Sequence, residues 1–158
     1  MTRARGRADI ERMLSDGKLE RVPHSLDVSR RLLADATAHV RLAGTGIDED
    51  PSGALQLSYD AARKACAALL AVQGLRATVR GGHVAVIDAV RAQLPDRGDT
   101  AVFGRLHRLR RRRNATEYPD LDSPGITHDD ARRAIDTARA TVNAVERLLA
   151  GGRIDAFR

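Results

Sequence analysis

Residues 105–119, RLHRLRRRRNATEYP, form the stretch of sequence that is most informative about the fold. Six arginines fall within nine positions, and the run then gives way to Asn114, Glu117 and Tyr118. Pro119 follows directly and cannot continue a helix, because proline lacks the amide hydrogen that a helical bond requires. The stretch therefore predicts the C-terminal end of a basic helix.

Helical spacing gives the arginines of this run different directions. Val102, Leu106 and Leu109 recur at intervals of four and three residues, so they mark one buried face. Arg113 continues that spacing and is predicted to point inward or into a cleft. A guanidinium cannot lose its charge there, so it needs a partner or a ligand. Glu117, one turn later, is the structural partner that the spacing offers.

Most of the remaining arginines are predicted to point sideways or outward, where they form either a solvated face or a nucleic-acid patch. Arginine presents a planar fork of donors that fits phosphate, and the formal net charge of +6 favours a polyanionic partner. Aromatic residues make up only 3% of the chain, too few to predict sequence-specific recognition by base stacking. The candidate nucleic-acid-binding residues are Arg105, Arg108, Arg110, Arg111 and Arg112.

The composition and the turn signals predict an all-α protein. The core must be built mainly from alanine, leucine and valine, and alanine and leucine favour helix. No useful length of sequence alternates with period two, so we expect an antiparallel bundle of four main helices and one or two short ones. The predicted helices span 8–19, 26–43, 52–72, 83–94, 100–118 and 127–150.

The same signals predict how the chain is organised. An N-terminal extension with a short helix covers 1–24, the bundle covers 25–150, and a C-terminal tail covers 151–158. Ser25 is predicted to cap the second helix, and Thr127 with Asp130 to form a variant of the capping box at the sixth.

One pattern in this helix resembles the motif of the HEPN superfamily: Arg113-Asn114, then three residues, then Tyr118. There, an arginine and a polar residue such as asparagine precede a histidine. The resemblance extends over about 25–150 and implies a bundle of four or more helices. Catalytic members of the superfamily are metal-independent ribonucleases, often toxins or phage-defence proteins, and they commonly dimerise so that two motifs face one cleft.

This resemblance implies roles for four residues. Arg113 would steady a phosphate or a developing negative charge, Asn114 and Tyr118 would orient it, and Glu117 would tune it. Tyr118 stands where the family nuclease has histidine, and a tyrosine hydroxyl, with a pKa of ~10, is a poor base at neutral pH. His128, at the start of the next helix, is a candidate replacement. The other histidines are predicted to be surface, flank or capping residues.

Three functions remain open. The first is an RNA-directed HEPN protein, such as a toxin or defence ribonuclease. The second is a non-catalytic HEPN module that binds nucleic acid or a partner such as a nucleotidyltransferase or an antitoxin. The third is a plain scaffold in which Arg113 and Glu117 form only a structural ion pair. We expect a homodimer.

The sequence contains no motif that is typical of other catalytic or cofactor-binding sites. There is no Walker loop, no GxGxxG before a helix, no metal-binding pattern of cysteine and histidine, and no GxSxG nucleophile. We therefore expect neither a cofactor nor a metal. Cys66 is the single cysteine and is predicted to be buried. With no secretory signal and no apolar window near ~18 residues, a cytoplasmic protein without membrane contact is expected.

Overall fold

The predicted all-α bundle is confirmed by a computed structural model, which describes residues 5–122, 124–152 and 154–158. The first four residues of the predicted 1–24 extension and one position of the 151–158 tail lie outside this description. The described helices are α1 Arg7–Ser15, α2 Leu26–Gly46, α3 Pro51–Gln73, α4 Gly82–Gln93, α5 Leu106–Glu117 and α6 His128–Ala150.

Both predicted helix caps are present. The Ser25 hydroxyl accepts a hydrogen bond from the Val28 amide at 3.1 Å and begins α2. At α6, the Asp130 amide donates to the Thr127 hydroxyl at 3.1 Å, and the Thr127 amide donates back to the Asp130 carboxylate at 3.0 Å. These bonds satisfy amide groups that have no partner within the helix.

Helix α3 is the centre of the bundle. It packs against α2 and α6 along most of its length and against α4 and α5 at its remaining sides. All but one of its alanines are buried between the larger residues, which permits neighbouring helices to approach closely. Cys66 is fully buried as predicted, and burial raises the pKa of its thiol to about 12. One face of α3 is buried throughout: Leu55, Tyr59, Ala62, Cys66 and Leu69.

Two short elements differ from the sequence prediction. Strands β1, Leu19–Arg21, and β2, Leu75–Ala77, form an antiparallel ladder, and three residues each are too few to give a period-two signal. The helix predicted over 100–118 begins instead as a 3₁₀ helix, Gly98–Arg105, that leads into α5. At its start the Thr100 amide donates to the Arg97 carbonyl at 3.3 Å, a bond between residues three apart that is characteristic of a 3₁₀ helix.

Gly74 joins the central helix to β2 in a conformation that an alanine does not tolerate. Its φ of 74° is left-handed, and a Cβ there would lie 2.8 Å from the Val22 carbonyl oxygen. We expect Gly74→Ala to lower the free energy of unfolding by more than ~1 kcal/mol, the cost of the left-handed backbone alone. Urea denaturation monitored by circular dichroism measures this change.

Gly44 is the matched control, because it lies inside α2 with open space where an added methyl group would lie. Gly44→Ala should raise the free energy of unfolding by up to ~1 kcal/mol through helix propensity. Equal effects of the two substitutions would contradict the conformation assigned to Gly74.

Candidate functional site

The arginine run is divided between two faces of α5. Arg105, Arg108 and Arg112 follow a three-four spacing and line a groove of about 790 Å³ between α5 and α6. Arg113 lies on another face and lines a cleft beside α3 and α4. Only part of the run is therefore a solvated surface.

In the groove between α5 and α6, positive charge is only partly neutralised. Arg112 forms an ion pair with Asp130, whose carboxylate also belongs to the α6 cap. The backbone hydrogen bond at Thr127 lowers the pKa of Asp130 despite its partial burial, and the charge of Arg112 lowers it further. Arg105 and Arg108 are exposed and have no ion pair with any described residue. These two side chains remain available to bind an anion.

Three of the four motif residues lie together. An Nη of Arg113 is 2.7 Å from Oε1 of Glu117, as the spacing predicted. The other Nη donates a long hydrogen bond of 3.5 Å to the Asn114 side-chain oxygen. The Arg113 side chain is 24% exposed and that of Glu117 is 31% exposed. The ion pair is therefore formed but not sealed from solvent, and Arg113 still faces the cleft.

The side chain of Tyr118 forms no hydrogen bond or ring contact with these three residues in the described part of the chain. Tyr118 ends α5, where its amide donates to the Asn114 carbonyl at 3.0 Å. Its side chain is 77% exposed, so the ring does not pack over the edge of the core. Within the described part of the chain, the Tyr118 hydroxyl has no hydrogen bond. The structure thus offers no contact through which Tyr118 orients Arg113.

A different tyrosine contacts Arg113. The Cζ atom of Arg113 lies 5.8 Å from the centre of the Tyr59 ring, within the range of a cation–π interaction. Tyr59 is buried in α3, and its hydroxyl has no hydrogen-bond partner among the described residues. Burial raises the pKa of Tyr59 to about 12, even though Arg63, Arg110 and Arg113 act in the opposite direction. The hydroxyl is therefore a neutral donor beside three positive charges.

His83 lines the same cleft from α4. Its ring centre lies 5.7 Å from that of Tyr59, with the ring planes tilted by 43°. The two short strands and the turn after them position the residue: the Thr78 amide donates to the Lys18 carbonyl at 3.1 Å, and the Gly81 amide donates to the Thr78 hydroxyl at 3.1 Å. The sequence pattern predicted a surface or capping histidine at this position, because only tertiary packing brings the start of α4 to the end of α5.

The cleft itself has a volume of about 380 Å³. One wall is α3, one is the start of α4, and one is the Arg113 side chain from α5. The lining combines a cation, an imidazole, a phenol and a carboxylate, which is the chemistry of an anion-binding or proton-transferring site. Its lining residues are Gly53, Gln56, Leu57, Tyr59, Asp60, His83 and Arg113.

Asp60 connects the cleft to a network on α2 and α3. Its carboxylate is 3.1 Å from Nε of Arg63, 3.1 Å from Nε2 of His39 and 3.4 Å from Nζ of Lys64. Partial burial favours its protonated form, but the hydrogen bond and charge of Arg63 and the charge of Lys64 outweigh burial and lower the pKa of Asp60. Asp60 is therefore a firmly ionised wall of the cleft.

The remaining histidines of the later helices are held elsewhere. Nε2 of His107 lies 2.6 Å from the Asp88 carboxylate, on the flank of α5. Nε2 of His128, the candidate replacement named from the sequence, lies 2.9 Å from the Asp48 carboxylate. His128 does not line the Arg113 cleft.

The described residues contain neither a metal-binding cluster nor a membrane-spanning helix. Over 5–122, 124–152 and 154–158, no three histidine, cysteine, aspartate or glutamate residues cluster closely enough to hold a metal ion. Within the same residues, no helix has the length and apolar character needed to cross a membrane.

The fold and the cleft define a helical-bundle domain with an arginine-centred, anion-compatible site. The family profile described as HEPN domain matches residues 47–148, well over half of the chain. The protein therefore belongs to the HEPN domain family. The matched region contains α3, α4, α5 and nearly all of α6, and so includes the whole Arg113 cleft. No curated protein and no solved structure matches the chain.

The lowered pKa of Asp60 has a consequence for stability. A carboxylate whose folded-state pKa lies below its ordinary value of 3.8 contributes stability above that pH, and this contribution is lost as the pH falls through the folded-state value. Asp60→Asn should therefore lower the free energy of unfolding at pH 7. The difference in the free energy of unfolding between the variant and the wild type should become smaller below pH ~4. Urea denaturation at a series of pH values measures it.

Asp35→Asn is the matched control, because Asp35 also contacts Lys64, at 3.3 Å, but its side chain is 60% exposed. Its effect should be smaller at every pH, since exposed ion pairs contribute little. A loss for Asp60→Asn that stays constant from neutral to acidic pH would show that the charge of Asp60 is not what stabilises the fold.

Proposed function

We propose that this HEPN-domain protein binds RNA, with a backbone phosphate held against Arg113 in the cleft between α3, α4 and α5. A phosphate there would receive hydrogen bonds from the guanidinium, whose planar fork of donors matches the phosphate oxygens. The ion pair with Glu117 does not prevent this, because both side chains remain partly exposed. Binding would require only that Arg113 share its donors between Glu117 and the phosphate.

The observation that carries the proposal is the partly exposed guanidinium of Arg113, which lines the cleft and has donors beyond the one that Glu117 uses. The Tyr59 hydroxyl and Nε of Arg110 are buried without a hydrogen-bond acceptor among the described residues. Neither atom is accessible to solvent, so these donors act on a ligand in the cleft through their charge and dipole and not through direct hydrogen bonds. The charges of Arg63, Arg110 and Arg113 act on that hydroxyl together, and they outnumber the one ionised carboxylate of the cleft lining, that of Asp60.

The groove between α5 and α6 supports a longer RNA contact. Arg105 and Arg108 are exposed on the same stretch of chain as Arg113, at most ~12 Å away along the axis by the rise per residue. Exposed arginines that follow the backbone of a nucleic acid add affinity without sequence preference. We propose that Arg105, Arg108 and Arg111 contact the phosphates on either side of the one at Arg113. Arg110 and Arg112 would add to the positive electrostatic potential that attracts the RNA.

The resemblance to toxin and defence ribonucleases extends this proposal. We propose a homodimer in which two Arg113 clefts face each other across the RNA. In that arrangement Asn114 and Glu117 hold Arg113 in place, and Tyr118, exposed at the end of α5, contacts the RNA or the second copy. A neighbouring antitoxin or nucleotidyltransferase would then regulate the site.

A second candidate is a non-catalytic module that binds a protein partner. It is favoured by a mainly apolar groove of about 560 Å³ between α2, β2 and α4, with Arg63, Arg76 and His83 as the ionisable residues of its lining. Val79, at its rim, is fully exposed. An apolar concavity of this kind suits a hydrophobic side chain from a partner protein.

Removing Arg113 tests the principal proposal. Arg113→Ala should weaken binding of a 2′-O-methyl RNA pool, which resists cleavage, by roughly 10- to 100-fold, the value of a charged hydrogen bond of ~1.5–3 kcal/mol. Arg139→Ala, which removes the same charge from an exposed position on α6, is the control and should have little effect. Fluorescence anisotropy measures both. Equal weakening by the two variants would contradict a specific phosphate contact.

Glu117→Gln separates a binding site from a structural ion pair. If Glu117 competes with phosphate for Arg113, its neutralisation should tighten RNA binding while the free energy of unfolding changes little, as expected for a partly exposed pair. If the pair serves only the fold, the variant should lose stability and bind RNA as the wild type does. Anisotropy and urea denaturation on the same preparation distinguish the two results.

The role of the α5–α6 groove has its own test. The double variant Arg105→Ala/Arg108→Ala should reduce the slope of log K against log salt by about 1.4, the value for two lost contacts to single-stranded RNA. Arg30→Ala/Arg31→Ala, on the exposed face of α2, is the matched control and should leave the slope unchanged. A similar reduction in both double variants would mean that net charge, and not this groove, sets the salt dependence.

A further inference from the structure

The cleft contains a histidine that the motif lacks. His83 and Arg113 lie against the same aromatic ring, that of Tyr59, at 5.7 Å from ring centre to ring centre and 5.8 Å from Cζ to ring centre. Both line the cleft of about 380 Å³. A phosphate bound to Arg113 would therefore place its ribose and ester oxygens within the space that His83 also faces.

We infer that His83 is a catalytic residue of this protein, the group that accepts the proton of the RNA 2′-hydroxyl when a phosphodiester is bound at Arg113. The inference rests on the proposed function, because it requires RNA in the cleft. In the family motif, the proton-transfer residue is a histidine at the position of Tyr118. In this protein, His83 of α4 would take that role.

The step is a transesterification within the RNA. The imidazole of His83 takes the proton from the 2′-hydroxyl as the 2′-oxygen forms a bond to phosphorus. The bond from phosphorus to the 5′-oxygen breaks, and that oxygen takes a proton from water. The imidazolium then gives its proton to the resulting hydroxide, so the products are a 2′,3′-cyclic phosphate and a 5′-hydroxyl. Arg113 stabilises the negative charge on the phosphoryl oxygens during the step.

The surroundings of His83 favour the neutral imidazole that this role needs. Partial burial lowers the pKa of His83, and the charges of Arg63 and Arg113 lower it further, against Asp60 and Glu117, which raise it. A base must be unprotonated to accept a proton, so His83 is ready to act at neutral pH. The groups that face it are Tyr59, Asp60 and Arg63 from α3, and Arg113 and Glu117 from α5.

The other histidines that the structure places in ion pairs are less suited to this role. His39, His107 and His128 each contact a carboxylate at 2.6–3.1 Å, and none of them lines the cleft. His83 has no ion pair with a carboxylate among the described residues, and its side chain is exposed to the cleft. Geometry therefore singles out His83.

The test measures cleavage and binding on the same variants. The full-length protein is incubated with tRNA and a mixed RNA pool in the presence of a chelator, and the fragments are examined for 2′,3′-cyclic phosphate ends. His83→Gln should lower the cleavage rate by at least about 100-fold, the usual contribution of a proton-transfer residue. It should bind 2′-O-methyl RNA as the wild type does. His107→Gln is the matched control and should cleave normally.

Two further measurements exclude a merely structural role. Free imidazole should restore cleavage to His83→Ala, since the cleft has room for it, and should have no effect on Arg113→Ala. In the wild type the rate should rise with pH to a plateau, with a midpoint below the ordinary histidine value of 6.5. That rising limb should be absent from His83→Gln.

The outcomes distinguish the catalytic role of His83 from the binding of RNA at Arg113. Wild-type cleavage that persists in His83→Gln would overturn the inference and leave a ribonuclease with another base. RNA binding that depends on Arg113, without cleavage by the wild type, would also overturn it but leave the proposed function intact. RNA binding that does not depend on Arg113 would remove the proposed function itself.

Discussion

The burial of α3 on nearly every side is the constraint on which the rest of the structure depends. Its small residues, among them Ala61, Ala65 and Ala68, are fully buried and allow α2, α4, α5 and α6 to pack closely around one axis. Because α3 occupies the centre, its charged residues, Asp60, Arg63 and Lys64, lie where neighbouring helices diverge and leave them partly exposed. Tyr59 and Asp60 lie at such a point, and the cleft forms there.

The electrostatics of the cleft follow from this placement. Arg113 reaches the cleft from the last turns of α5, where Glu117 neutralises part of its charge without burying it. Tyr59 contributes a buried hydroxyl that burial keeps neutral, and Asp60 contributes a carboxylate that Arg63 keeps ionised. The site thus combines fixed charges with a partly desolvated imidazole, the arrangement on which the proposed proton transfer beside a bound phosphate rests.

Features that depend on local spacing could be predicted from the sequence. The helical segments, the caps at Ser25 and Thr127, and the pairing of Arg113 with Glu117 all follow from contacts between residues no more than four apart. His83 could not be found in this way, because its approach to α5 depends on how two helices pack against α3. The exposure of the Tyr118 side chain could not be predicted either, since helical spacing does not show where the neighbouring helices end.

The most direct measurement is a crystal structure of the protein with a 2′-O-methyl RNA dinucleotide, which cannot be cleaved at that position. The proposed mechanism predicts a phosphate hydrogen-bonded to Arg113 in the cleft beside Tyr59, with the modified 2′-oxygen next to the imidazole of His83. RNA bound only along Arg105 and Arg108, with no phosphate in the cleft and Arg113 still paired solely with Glu117, would contradict it.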